Sequence, residues 1–250
     1  MTTVGSIYDF LCAFAPLELQ MGFDNSGFQL GRKSAQAQRA LLSLDVTDEV
    51  VDEAIELGAQ LIVSHHPLIF TPLKSIQDEK LLKLIENQIA IISMHTNLDI
   101  AEGGVNDVLI NLLGAKADGA LDAEGCGRVG NLPQAQQFDD FLRLCKAVLE
   151  NNGLRYYSAG KPVKRLAVMG GSGGDAIADA AEKGCDTYVT ADIKYHQFLE
   201  ARELGINLID ADHFCTENPV ITVLCAKLAE NFKDVSFSVS AKHRQLISFI

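Results

Sequence analysis

RALLSLD (39–45), a helix-forming stretch and GAQLIVSHH (58–66) recur in the second half of the chain as RLAVMGG (165–171), a helix-forming stretch and GCDTYVTAD (184–192). Arg39 and Arg165 stand 126 residues apart, as do Gly58 and Gly184, so these segments align without a gap. A third pair follows, IAIISMHTNLD (89–99) and INLIDADHFCTE (206–217), after a shorter connection in the second copy. Identities are few, but the order of apolar runs, helices and glycines is shared. That is the signature of an internal duplication.

Each copy reads as β-α-β-α-β-α. TDEVVDEAIEL carries apolar residues at helical spacing, with Thr47 as a candidate cap, Val50, Val51, Ala54 and Ile55 facing inward, and Gly58 as its stop. LIVS (61–64) and IAIIS (89–93) are continuous apolar runs of buried-strand type. The spacing predicts helices near 77–87 and 104–113 in the first copy. In the second it predicts strands at 165–169, 186–190 and 206–210, with helices at 174–183, 195–204 and 217–230. A helix (about 5–15 and 138–151) and a short strand (near 27–31 and 155–159) precede each copy. VSFSVS (235–240) alternates as a further strand. The expected class is therefore α/β with internal duplication, the first repeat spanning 1–123 and the second 124–250, closely packed with a metal site between them. The expected break lies in AKADGALDAEGCGRVGNLPQ (115–134), which is rich in Gly, Ala and Asp.

The 250-residue chain is 48% hydrophobic and 22% charged, enough for a buried core and too ordinary for a disordered chain. Acids outnumber bases by 33 to 21. The net charge of −12 argues against nucleic acid or anionic lipid as a general partner, since both are bound by clustered Lys and Arg. No apolar run approaches the ~20 residues of a membrane helix. The first twenty residues carry no Lys or Arg and read as an amphipathic helix, not a signal peptide. Six scattered cysteines without CxxC spacing fit reduced thiols, so a cytoplasmic location is expected.

In open α/β sheets, ligands gather at loops leaving the carboxyl ends of strands. Those loops hold His65, His66 and Pro67 after 61–64, His95 and Asp99 after 89–93, and Asp212, His213 and Glu217 after 206–210. Four of the six histidines therefore fall at strand ends of one kind; His196 and His243 do not. Pro67 biases His66 toward extended geometry, so His65 and His66 can serve neighbouring metals. A helix starting near Asp212 would stack His213 and Glu217 on one face. Three histidines and two carboxylates (His65, His66, Asp99, His213, Glu217) suit two divalent ions such as zinc, iron, manganese or nickel. Each feature also has an ordinary reading: a hydrogen-bonded strand-end histidine, or a surface His/Glu pair. Convergence from equivalent loops favours the metal.

Ser64-His65-His66-Pro67, Met94-His95-Thr96-Asn97-Leu98-Asp99, Thr190-Ala191-Asp192-Ile193-Lys194-Tyr195-His196 and Asp212-His213-Phe214-Cys215-Thr216-Glu217 together resemble the Nif-three-like family. Its members are dinuclear-metal-centre hexameric proteins, often labelled GTP cyclohydrolase I type II homologs. DNSGFQLG (24–31) and GCGRVG (125–130) fit the same pattern, so the likeness covers nearly the whole chain. It implies two intertwined α-β-(β-α)₃ repeats with mixed sheets, a toroidal homohexamer, and metal ligation by His65, His66, Asp99, His213 and Glu217. The chain departs from it at Asp212-His213-Phe214, where relatives often carry a Gly-His-Tyr-like segment. The outer partners of the site are therefore expected to differ there, with the ligands kept.

Two functions follow as expectations. One is a metal-dependent hydrolase acting on a nucleotide or other phosphorylated small molecule, with His95 or Glu217 relaying protons. The other is a non-enzymatic metal-storage, metal-delivery or scaffold protein. Asp45 is expected either to orient a ligand histidine or to cap the amides of Thr47 or Asp48. Lys194, Tyr195 and His196 are read as an anion-binding patch or as solvent-exposed polar residues. GGSGG (170–174) is read as a tight turn or a phosphate cradle, without the Lys-Ser/Thr of a P-loop.

Overall fold

The short apolar runs form strands covered on both faces: every residue of Leu61–Ser64, Ala90–Ser93, Thr187–Ala191 and Asn207–Asp210 is buried. The computed structural model describes residues 1–250. In chain order its strands are β1 (Gly27–Leu30), β2 (Arg39–Ser43), β3 (Leu61–Ser64), β4 (Ala90–Ser93), β5 (Lys116–Ala120), β6 (Arg128–Gln136), β7 (Arg155–Tyr157), β8 (Val163–Ser172), β9 (Thr187–Ala191), β10 (Asn207–Asp210) and β11 (Ser236–Val239). They form two mixed sheets, one in each of two units.

The first unit comprises Met1–Glu102 and Ile221–Arg244. Its sheet runs β1-β4-β3-β2-β11. β2, β3, β4 and β11 are parallel, and β1 is antiparallel on β4. Helix Asp48–Leu57 is capped by Thr47, whose side chain accepts from the Val50 N–H, and it stops at Gly58 in the left-handed region (φ 62°). Its Val50, Val51 and Ala54 pack with Leu41, Ile62, Leu84 and Ile91. Each fully buried Val, Leu or Ile side chain here contributes about 2 kcal/mol through the water it no longer touches. The register brings the carboxyl ends of three strands level, pairing Ser43 with Ser64 and Ser64 with Ser93. Ser64 Oγ donates to the His66 carbonyl at 2.8 Å and Ser43 Oγ to that of Asp45 at 2.7 Å. These hydroxyls fix the turns that carry the candidate site.

The second unit comprises Gly103–Val220 and Gln245–Ile250. Its sheet runs β5-β6-β8-β9-β10-β7, with β8, β9 and β10 parallel and the others antiparallel. Leu109, Phe141, Cys145, Leu166, Val189 and Ile209 form its core. β7-β10-β9-β8 repeats the order and directions of β1-β4-β3-β2. The duplication read from the sequence is thus present as topology. The two units interleave along the chain: residues past 220 return to the first sheet, where β11 pairs parallel with β2.

The stretch 115–134 is not a break. It supplies β5 and most of β6, an antiparallel pair extending the second sheet. Its glycines serve close strand approach: a Cβ on Gly130 would lie 2.2 Å from the Lys116 carbonyl oxygen. No pair of cysteines forms a disulfide, and no helix is long and apolar enough to cross a membrane.

Candidate metal centre

In the first unit three imidazoles meet where β3 and β4 end. Ring centroids are 5.0 Å apart for His65 and His66, 5.2 Å for His65 and His95, and 5.5 Å for His66 and His95. One ring nitrogen from each lies within 4.8 Å of the others. Asp99, on the short helix Thr96–Ile100 that follows, places Oδ1 3.6 Å from His65 Nε2. Asp99 is 8% exposed and His65 fully buried.

The outer partners set the chemistry of these rings. His65 Nδ1 lies 2.8 Å from the Met94 carbonyl, His66 Nδ1 2.7 Å from Asp45 Oδ1, and His95 Nδ1 2.7 Å from Asp24 Oδ1. Carbonyl and carboxylate oxygens only accept, so each Nδ1 carries the proton. With Nδ1 engaged, Nε2 is the nitrogen each ring has left to offer a cation. That is how proteins prepare histidine as a metal ligand. Of the two roles expected for Asp45, it takes the orienting one; Thr47 caps the helix itself.

Asp24 is the hub that sequence reading overlooked. Its carboxylate accepts from His95 Nδ1, the Asn25 and Thr96 N–H groups, and the Ser26 and Thr96 hydroxyls. Burial opposes its ionisation, but the bonds from His95, Thr96 and Ser26 prevail and hold it well below the usual carboxylate range. Asp45 behaves likewise: burial works against the charge, and bonds from His243 and His66 outweigh it.

In the second unit Asp212, at φ 68°, caps helix His213–Glu217 and accepts from the Cys215 N–H. The helical spacing brings His213 Nε2 3.0 Å from Glu217 Oε2. His213 Nδ1 lies 2.7 Å from Asp192 Oδ2, and Asp192 also holds a positive φ of 56°. Two of the four non-glycine residues with positive φ thus flank this histidine, Asp192 as its hydrogen-bond partner and Asp212 as the cap of its helix. The 170–174 loop is no phosphate cradle in this arrangement. The N–H groups of Gly170, Gly171 and Gly173 are taken by Asn106, Thr216 and Thr190. Gly171 (φ 66°) instead lies against Glu217, where a Cβ would come 2.1 Å from Oε1. Lys194, Tyr195 and His196 are exposed, Tyr195 by 78%. Cys215 is buried, which pushes its thiol up to about 12 and leaves it no use as a nucleophile.

The donor chemistry fits divalent metal: imidazoles with outer oxygen partners, and the carboxylates Asp99 and Glu217. Desolvation disfavours a charged His213, yet the carboxylates of Glu217 and Asp192 outweigh it and raise its pKa to about 9. A proton shared with Glu217 thus holds the place a cation would take. Metal binding near neutral pH should therefore release about one proton at His213, with affinity rising with pH until about 9. Calorimetry in buffers of different ionisation enthalpy measures this directly. Proton-neutral binding at pH 7 would remove His213 from the ligand set.

Residues 2–245 match the family model described as Duf34/NIF3 (NGG1p interacting factor 3). A Clostridium perfringens protein named "GTP cyclohydrolase 1 type 2 homolog" is 36% identical, the alignment covering 94% of this chain and 95% of the relative. A Helicobacter pylori protein named "GTP cyclohydrolase 1 type 2" is 32% identical over 94% of this chain and 98% of its own. The crystal structure of a Bacillus cereus protein related to NIF3 superposes with a TM-score of 0.93 at 26% identity, covering 100% of this chain and 99% of that one. The fold, its duplication and the family model converge, and the chain belongs to the Duf34/NIF3 family.

Proposed function

We propose that this chain is a metal-dependent hydrolase in which His65, His66, Asp99, His213 and Glu217 ligate two divalent ions, zinc, iron, manganese or nickel. The substrate class is a nucleotide or other phosphorylated small molecule, and the working form is a cytoplasmic homohexameric ring. The observation that carries the reading is the tautomer pattern. Four imidazoles (His65, His66, His95, His213) each have Nδ1 against an oxygen acceptor. Metal-ligating histidines almost always carry such an oxygen partner on the nitrogen that does not face the ion. The names of the relatives support hydrolytic chemistry on a purine nucleotide.

Bound divalent ions would supply Lewis acidity, an acidified water and compensation for developing negative charge. The chain's own groups do the rest. Asp45, Asp192 and the Met94 carbonyl fix the ligand rings. His95, held by Asp24, presents Nε2 beside His65 and His66 and can accept or return a proton. Glu217 is 4% exposed, so water competes little for its carboxylate.

The test combines metal analysis with turnover. Protein reconstituted anaerobically should hold about two ions per chain, and it should turn over members of a nucleotide and phosphoester panel that includes GTP. Asp99→Asn should reduce both metal retention and turnover by at least about tenfold. Metal content near zero after reconstitution would end the proposal. Full loading without turnover, with rapid transfer of metal to an acceptor protein, would replace it with metal storage or delivery.

A further inference from the structure

Beyond β11 the chain turns back toward the ends of β2 and β3. Glu53, on helix Asp48–Leu57, is a carboxylate with only 8% exposure, an unusual resident of an apolar helix face. It accepts from the Ser240 hydroxyl and from the N–H groups of Ala241 (2.9 Å) and Lys242 (3.3 Å). Ser240 Oγ in turn accepts from the N–H groups of Lys242 (3.2 Å) and His243 (3.1 Å). Three bonds thus tie a four-residue turn to one buried acid, and two more close the turn on itself.

That turn presents His243, whose side chain is 8% exposed, to Asp45. His243 Nε2 stands 3.0 Å from Asp45 Oδ2, while Asp45 Oδ1 receives His66 Nδ1 at 2.7 Å. The two carboxylate oxygens are therefore engaged by different imidazoles. A carboxylate held at one oxygen can still swing about its side-chain torsions; one held at both cannot. The orienting partner of His66 is itself oriented by the tail. Asp45 and Glu53 lie at the start and middle of one continuous loop and helix, so a single segment grips both the ligand and the strap.

We infer that Ser240–His243 is a positioning strap for the metal centre, in which His243 fixes Asp45, Asp45 fixes the His66 ring, and docking of the strap is coupled to metal affinity. This rests on the reading of His66 as a ligand. Coupling is reciprocal: whatever factor the docked strap adds to metal affinity, bound metal adds to strap docking. His243 acts through Asp45 and so is a positioning residue, not a catalytic one.

The experiment uses full-length wild type, His243→Ala and His243→Gln, with Zn²⁺ alone as the probe. Zn²⁺ affinity is read by chelator competition, and amide hydrogen exchange is followed at Ala241, Lys242 and His243 with and without Zn²⁺. His243→Ala should bind Zn²⁺ about tenfold more weakly, at the low end of the effect of outer partners. His243→Gln, whose amide N–H can still donate to Asp45, should recover most of that loss. Zn²⁺ should slow exchange of the three strap amides in wild type by a similar factor, and not in His243→Ala. Unchanged Zn²⁺ affinity in His243→Ala, with faster strap exchange, would make His243 a structural anchor only and overturn the inference. A failure of His243→Gln to rescue would also count against it. Absence of Zn²⁺ binding by wild type is a different failure: it removes the metal reading itself, and the strap's role with it.

Discussion

Gly171→Ala should lower metal affinity by on the order of a hundredfold while leaving the protein folded. The two consequences have separate physical causes. Gly171 sits at φ 66°, and an L-residue there costs about 1–2 kcal/mol of backbone strain. Separately, the new Cβ would lie 2.1 Å from Glu217 Oε1, 3.1 Å from its Cδ and 3.2 Å from His213 Nε2. No carbon approaches a carboxylate oxygen so closely, so something yields. The tip of a glutamate side chain yields more easily than a strand end whose N–H is bonded to Thr216. Glu217 would rotate away, breaking its 3.0 Å contact with His213 and separating the two donors. Gly160→Ala isolates the cause: its φ is 73°, and nothing lies within 4 Å of an added Cβ. It carries the same backbone strain and should keep full metal affinity. If both variants bind metal like wild type, the loop is not the close-packed floor of this donor pair.

The contrast between these glycines shows what the sequence could disclose. The strands were legible because parallel strands covered on both faces need uninterrupted apolar runs: LIVS became Leu61–Ser64 and IAIIS contained Ala90–Ser93. The repeat was legible because Gly58 and Gly184, 126 residues apart, both follow helices in the left-handed region. The pairing of His213 with Glu217 was legible because helical periodicity is local.

What was missed depends on distance along the chain. β5 reads KADGA, with no residue buried, so neither hydrophobicity nor alternation marks it as a strand. Its identity comes from pairing with β6. Asp24 lies 71 residues from His95, and His243 lies almost two hundred from Asp45. An acid in a loop before β1 and a histidine in a polar tail carry no local pattern, and only tertiary contact gives them a role. Asp192 was nearer to hand. It follows the strand in copy two at the place His66 occupies in copy one, and the duplicated scaffold uses that place for a proposed ligand in one copy and for the partner of a proposed ligand in the other.

Asp24→Asn should destabilise the protein by about 3–5 kcal/mol at neutral pH, since hydrogen bonds to a charged group contribute about 1.5–3 kcal/mol each and more than one is lost. For a chain of this length that corresponds to a fall in Tm of about 10 °C. The side chain is fully buried and accepts five hydrogen bonds, four of them at 2.5–2.7 Å, from Thr96 Oγ1, His95 Nδ1, Ser26 Oγ and the Asn25 N–H. An amide offers one accepting oxygen, and its NH₂ would face donors that previously met oxygen. The pH dependence identifies the charge as the cause. Asp24 is held below the ordinary carboxylate range in the folded state, against about 3.9 when unfolded. As the pH falls, the unfolded chain takes up this proton first. The stabilisation is therefore fully present above about pH 5 and is lost as the pH drops through the folded value. Wild type should lose stability more steeply than Asp24→Asn below about pH 4, and the gap between them should narrow with acidification. Calorimetric Tm values at pH 7, 5, 4 and 3 test this. A gap that stays constant from pH 7 to 3 would show that the loss comes from packing and not from the ionised carboxylate. A narrowing gap would mean that the charge on Asp24 anchors the loop at 24–26 to the end of β4, and with it the ring of His95.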